Sequence, residues 1–203
     1  IPAGGAAGQA LVYSSAGNAT WSNAIGLSGD SVLLGKNQSM PSGAVNNTII
    51  GSGPMALSTG DYNVVVGSYA GSDLSTGSQN TVLGYGAGPN ITSGERNIMI
   101  GMQPGGNTKT ANDNIYIGYR AGQHNIEGIG NVAIGNDSWG SSISYQYGGD
   151  YNTFIGHKTG YDTNQDDSGN IYIGHSNSYG SHSPCSSTNG YYRNDNIIMG
   201  HSS

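Results

Sequence analysis

The stretch Asn63-Val64-Val65-Val66-Gly67 contains the pattern that repeats along most of this chain. Its closing glycine recurs every 16 or 17 residues as far as Gly135, and at steps of 21, 18 and 26 residues after it. The ten closing glycines are Gly35, Gly51, Gly67, Gly84, Gly101, Gly118, Gly135, Gly156, Gly174 and Gly200. A near-constant period of this kind predicts a solenoid, in which each repeat forms one coil stacked on the next.

The three residues before each closing glycine have the composition of a β-strand. When that glycine is numbered zero, position minus one is aliphatic or Met in all ten repeats, and position minus three is Val, Thr or Ile. These two positions share one strand face because side chains alternate with period two, and we interpret that face as the one that fills the coil. Position minus two is mostly apolar and points the other way, so it needs a neighbour in the coil or in another chain.

Asparagine occupies position minus four in nine of the ten repeats, and Ser31 is the exception. Asn tolerates left-handed backbone at corners, and identical Asn side chains in stacked coils can form a hydrogen-bonded ladder. Glycine at position zero permits backbone angles that other residues resist. The repeat therefore predicts a strand bounded by two corners.

The composition fits a thin core. Leu, Ile, Val and Phe total 34 of 203 residues, which is low for a folded chain, but 22 of them lie in the thirty positions just before the closing glycines. We therefore predict an all-β chain that forms a parallel β-solenoid (a β-helix or β-roll) of about ten coils of 16–17 residues.

Several classes of function are disfavoured by the composition. The net charge is −6 and no basic patch exists, so we expect no nucleic-acid partner. No apolar run is long enough for a membrane span, so we expect no membrane insertion. Cys185 is the only cysteine, which rules out a disulfide within the chain.

Spacing divides the chain into three regions. Residues 1–30 lie outside the period and predict an N-terminal cap or linker, with Trp21 as an anchor. Residues 31–138 predict a regular shaft, and residues 139–203 a solenoid tip with aromatic-rich insert loops. Insertions in repeat proteins lie on the surface and often bind ligands. The candidate receptor-contact residues in and beside the inserts are Trp139, Tyr145, Tyr147, Tyr161, Tyr179, Tyr191 and Tyr192.

Three histidines follow directly after closing glycines in the last three coils: His157, His175 and His201. If this position faced a three-fold axis, three chains would present rings of imidazoles that could bind a metal ion. The alternative is a column of polar surface residues. We predict no other cofactor and no enzymatic activity, because the two glutamates, Glu95 and Glu127, lie in separate coil turns and no nucleophile or phosphate-binding motif is present.

Two phrases, Asn-Thr-Val-Leu-Gly-Tyr-Gly-Ala-Gly at 80–88 and Asn-Ile-Tyr-Ile-Gly-Tyr-Arg-Ala-Gly at 114–122, resemble the repeats of bacteriophage tail fibres and tailspikes. They are also similar to the head repeats of trimeric autotransporter adhesins. The resemblance covers about residues 31–201. It implies an intertwined or side-by-side homotrimer, joined to the rest of a fibre at its N-terminus, in the virion and outside the cell. It also implies that the distal tip binds a bacterial surface glycan or protein receptor.

Such fibres often carry a C-terminal intramolecular chaperone that is cleaved off at a serine, so Ser203 is either a cleavage end or an arbitrary boundary. The leading hypothesis is a phage receptor-binding fibre tip. The alternatives are a bacterial adhesin head, an inert fibre shaft, a polysaccharide depolymerase and an ice-binding solenoid. Ice binding is disfavoured because Thr48, Thr81 and Thr153 share the position assigned to the core.

Overall fold

The computed structural model confirms an all-β chain, with no helix in the described residues. It describes side chains in residues 31–34, 44–53, 59–140, 148–161, 168–177 and 195–201, and backbone alone in 10–13, 19–22, 38–39 and 55–56. The predicted inserts lie largely outside these residues. The division into cap, shaft and tip therefore stays a prediction.

Ten strands stack in chain order into one parallel sheet, as the ten closing glycines predict. They are β3 (Val32–Leu34), β5 (Thr48–Ile50), β7 (Val64–Val66), β8 (Thr81–Leu83), β9 (Ile98–Ile100), β10 (Ile115–Ile117), β11 (Val132–Ile134), β12 (Thr153–Ile155), β13 (Ile171–His175) and β14 (Ile197–His201). Each strand pairs with the same phrase of the next repeat; Ile98, for example, pairs with Ile115. This register makes the chain a parallel β-solenoid.

Four shorter strands lie outside this sheet. The strands β1 (Ala10–Tyr13) and β2 (Ala19–Ser22) form an antiparallel pair within the predicted cap. The strands β4 (Gln38–Ser39) and β6 (Met55–Ala56) form a parallel pair. Because β4 and β6 belong to neighbouring repeats, they form a second, smaller contact between stacked coils.

The asparagines at position minus four form the ladder that the sequence predicts, and they are buried. The Oδ1 of Asn97 accepts hydrogen bonds from the backbone N–H and the Nδ2 of Asn114, both at 3.1 Å. The Nδ2 of Asn97 donates to the carbonyl of Ala111 at the opposite corner of its own coil, at 2.8 Å. In the first coil the Oγ of Ser31 replaces the amide and accepts from the backbone N–H of Asn47. The ladder thus satisfies buried backbone groups that the strands leave unpaired.

The closing glycines are required by both backbone angle and space. Gly84 has φ +129°, and a Cβ built on it would lie 1.9 Å from the carbonyl oxygen of Gly101 in the next coil. No side chain can occupy that gap without moving a backbone. The column of closing glycines therefore sets how closely the coils stack.

The core assignment made from the sequence was wrong. The side chains at position minus two fill the coil, whereas those at minus three and minus one point outward and are half-buried or exposed. The buried residues at minus two are Ile49, Val65, Val82, Met99, Tyr116, Ala133, Phe154 and Tyr172. Alternation shows which positions share a face but not which face the coil encloses, and a three-residue strand directs one side chain inward. Thr48, Thr81 and Thr153 are consequently half-buried on the outside, and not in the core as predicted.

Candidate functional site

The outward side of the ten-stranded sheet is an apolar surface, which we call the outward face. It consists of the twenty side chains at positions minus three and minus one of strands β3, β5 and β7–β14. All ten residues at minus one and seven of the ten at minus three are aliphatic or Met, which makes seventeen of twenty; the other three are Thr. Leu83 is 43% exposed and Met199 is 68% exposed. In the single chain, therefore, an apolar surface runs the whole length of the sheet.

The size of the outward face is notable for a chain with so few apolar residues. Ten strands span nine steps of ~4.8 Å, and three residues of strand span about 10 Å, so the face covers on the order of 430 Å². This equals the largest apolar patch of a typical monomer, which is often a binding site. None of its twenty side chains is ionisable. Such a surface can bind another apolar surface, but it provides no group for acid–base or nucleophilic chemistry.

Charged side chains lie at a corner of the coils, away from the outward face. The guanidinium of Arg96 donates to Asp113 in the next coil at 2.6 and 3.0 Å, and to Glu95 at 2.7 Å. The hydrogen bond from Arg96 lowers the pKa of Asp113. All three side chains are almost half exposed, so this is a surface ion pair between two coils.

The predicted receptor contact at Trp139 is corrected by the structure, because this ring lies in the core and is 4% exposed. It stacks on Phe154 with ring centroids 5.1 Å apart, and it lies 6.3 Å from Tyr116. Together with Tyr172, these rings form a column of aromatic side chains inside the last described coils. Trp139 therefore stabilises the solenoid and is not available to a receptor.

Trp139 occupies a position that is glycine in most other coils, four residues after the closing glycine. Its backbone is left-handed, with φ 48°, as it is at Gly122 and Gly160. A Cβ on Gly122 would lie 2.4 Å from the Tyr116 ring, because the space is already filled from position minus two. In the coil of Trp139 that position is Ala133, so the tryptophan fills the volume that alanine leaves empty. The paired change, small at minus two and large after the glycine, was the signal in the sequence that could have located Trp139.

The other predicted receptor contacts are only partly described. Tyr161 is half-buried, and the Nζ of Lys158 lies 5.8 Å from its ring centroid. Tyr145, Tyr147, Tyr179, Tyr191 and Tyr192 lie outside the described residues, so their role stays a prediction.

Exposed tyrosines also occur on the regular coils, where the sequence analysis did not look for them. Tyr69 and Tyr85 meet edge to face with centroids 6.2 Å apart, and both are more than half exposed. Tyr62 and Tyr151 are exposed at another corner. Their dispersion over several coils in the sequence concealed that stacking brings Tyr69 and Tyr85 together.

The three histidines form a column on the surface, as stacking of the repeats predicts. The rings of His157 and His175 have centroids 5.0 Å apart, and those of His175 and His201 are 4.7 Å apart. All three side chains are exposed. The rings are nearly parallel, and within the described residues no three His, Cys, Asp or Glu side chains converge on one metal position. A ring of histidines from three chains stays a prediction, since it requires partner chains.

Comparison with known proteins does not assign the chain to a family: no family model, no curated protein and no solved structure matches it significantly. Among the described residues, no helix has the length and apolarity that crossing a membrane requires. The functional argument therefore depends on the outward face, the surface columns and the resemblance of the repeats.

Proposed function

We propose that this chain is the receptor-binding part of a homotrimeric bacteriophage tail fibre that attaches the virion to a bacterial surface. Its role is adhesive and not catalytic. The fold supports this proposal because a stacked solenoid makes a long, rod-like element from a thin core. The repeat phrase supports it through its resemblance to fibre repeats.

The observation that carries the proposal is the outward face. An apolar surface of this length, exposed along every strand of a secreted or virion protein, would promote non-specific aggregation unless another chain covered it. Its composition is uniform over all ten strands, so an identical copy placed alongside in the same register would match it row by row. Three copies around one axis would bury the face completely and leave the corners free for ligands.

The outward face does not fit an ice-binding surface. Such a surface needs regular rows of Thr, whereas only three of the twenty outward positions carry Thr, and aliphatic rows separate them. A measurement of thermal hysteresis would show directly whether ice is bound. We expect none.

The proposal is tested first by the solution mass of the chain from light scattering. We expect a mass of three chains that persists in cold detergent. Ile117→Lys, which places a charge in the middle of the outward face, should dissociate the trimer or cause aggregation. The control Thr110→Lys adds the same charge at an exposed corner and should leave the trimer intact. A wild-type chain that stays monomeric at micromolar concentration would refute the trimer.

Attachment is tested separately from assembly. The trimer, fluorescently labelled, should bind some members of a panel of bacterial strains and compete with phage adsorption on those strains. Deletion of the inserts that contain Tyr147 and Tyr191 should abolish binding and keep the trimer. An intact trimer that binds no strain would favour an inert fibre shaft. Binding to animal cells or matrix would favour a bacterial adhesin head.

A further inference from the structure

From the histidine column we infer that the chain itself binds a divalent transition-metal ion, with two neighbouring imidazoles as ligands. The site is independent of the proposed attachment function and of the number of chains in the assembly. It differs from a ring of histidines around a trimer axis, because both protein ligands come from one chain. The metals that fit are those that prefer imidazole nitrogen, namely Zn²⁺, Ni²⁺ and Cu²⁺.

The backbone holds the ligands at a suitable spacing. His175 and His201 are register partners at the ends of β13 and β14, so a pair of parallel strands fixes their separation. The backbone N–H of Ser176 donates to the carbonyl of His157 at 3.0 Å, which ties the third histidine to the same stack. Metal–nitrogen bonds are about 2.0–2.1 Å long, so two nitrogens on one ion are at most about 4.2 Å apart.

The side chains can reach that geometry from the observed one. Ring centroids 4.7 Å apart bring the nitrogens of neighbouring rings close to the required distance, and rotation of one exposed ring turns its nitrogen towards the other. Since all three rings are exposed, water can complete the coordination. The ammonium nearest in sequence, Lys158, is directed over the ring of Tyr161.

The position of the site suggests what the ion does. Successive closing glycines are 17 residues apart in the regular coils but 26 apart between Gly174 and Gly200. A long connection gives the last strand a larger entropic cost of closure than the others have. An ion that joins His175 to His201 would close this segment and stabilise the end of the solenoid in proportion to its affinity.

The test is metal titration of the purified chain without a histidine tag. Isothermal titration with NiCl₂ and ZnCl₂ should give one bound ion per chain and a higher melting temperature. With Cu²⁺, electron paramagnetic resonance should show coupling to two nitrogens. Binding should weaken as the pH falls, because protons compete with the metal for imidazole.

Variants identify the ligands. Loss of an outer-shell partner already costs about 10–100-fold in metal affinity, so loss of a ligand should cost about tenfold or more. His175→Asn removes the ring shared by both pairs and should have the largest effect, whereas His157→Asn or His201→Asn leaves one pair intact. The control is His124→Asn, which lies outside the column and contacts Asn107. We expect no change in metal binding for this control.

Three results would overturn the inference. The first is wild-type metal binding by His175→Asn with an unchanged circular dichroism spectrum. The second is an equal loss of affinity in His124→Asn. The third is a stoichiometry of one ion per three chains, which would place the ligands in different chains.

Discussion

Exchange of the two residues that fill one core layer should show that Trp139 is a core residue. Trp139→Gly empties the space beside Ala133, between the rings of Tyr116 and Phe154. Truncation of a buried tryptophan costs about 3–5 kcal/mol. Relief of the left-handed backbone at this position returns about 1–2 kcal/mol. The net loss in the free energy of unfolding should therefore be about 1–4 kcal/mol.

The second half of the exchange restores the layer from the other side. Ala133→Phe alone should destabilise by about 1–3 kcal/mol, because it overfills a layer that Trp139 already occupies. The double variant has the arrangement observed at Phe154 and Gly160, where an aromatic residue at minus two is followed by glycine. We expect it to be within about 1.5 kcal/mol of the wild type, the usual range for swaps that conserve core volume.

The assay is guanidinium unfolding of all four proteins, followed by far-ultraviolet circular dichroism. The far-ultraviolet signal is suitable because it does not depend on the tryptophan that is removed. The coupling energy of the cycle distinguishes a shared core layer from two independent sites. If the double variant is no more stable than the sum of the single losses predicts, the two side chains do not share one space. Unchanged stability of Trp139→Gly would also refute the assignment, and would restore the receptor hypothesis for this residue.

Three further perturbations test the remaining features of the solenoid. Asn97→Ala leaves a buried N–H and a buried carbonyl without partners, so it should cost about 2–6 kcal/mol in unfolding free energy, measured by denaturant titration. Gly84→Ala places a Cβ 1.9 Å from a backbone oxygen of the next coil, and we expect failure to fold, seen as loss of the circular dichroism spectrum. The pKa of Asp113 is lowered in the folded chain by Arg96, so this carboxylate stabilises the fold above its unfolded pKa and loses that effect as the pH falls through the folded value. Asp113→Asn should therefore lower stability slightly at pH 7 and leave it unchanged at pH 2, measured as melting temperature at low ionic strength.

Much of the fold could be predicted from spacing, because a solenoid is built from local rules that repeat. The position of Asn97 in a ladder and the need for Gly84 follow from the chemistry of their side chains once stacking is assumed. The column of His157, His175 and His201 was also predicted, since equal positions in successive coils must align. Prediction was less successful for the surface. The outward face and the burial of Trp139 were both missed.

The sequence by itself determined the period, the strand phrase, the register and the columns of asparagine and glycine. Each of these depends on residues that are close together or equivalent in successive repeats. Only the tertiary structure decided which strand face is enclosed, since alternation is the same for either choice and the closure of the coil selects one of them. It also decided that Trp139 fills the layer of Ala133, because the shared space exists only after the chain has turned back on itself.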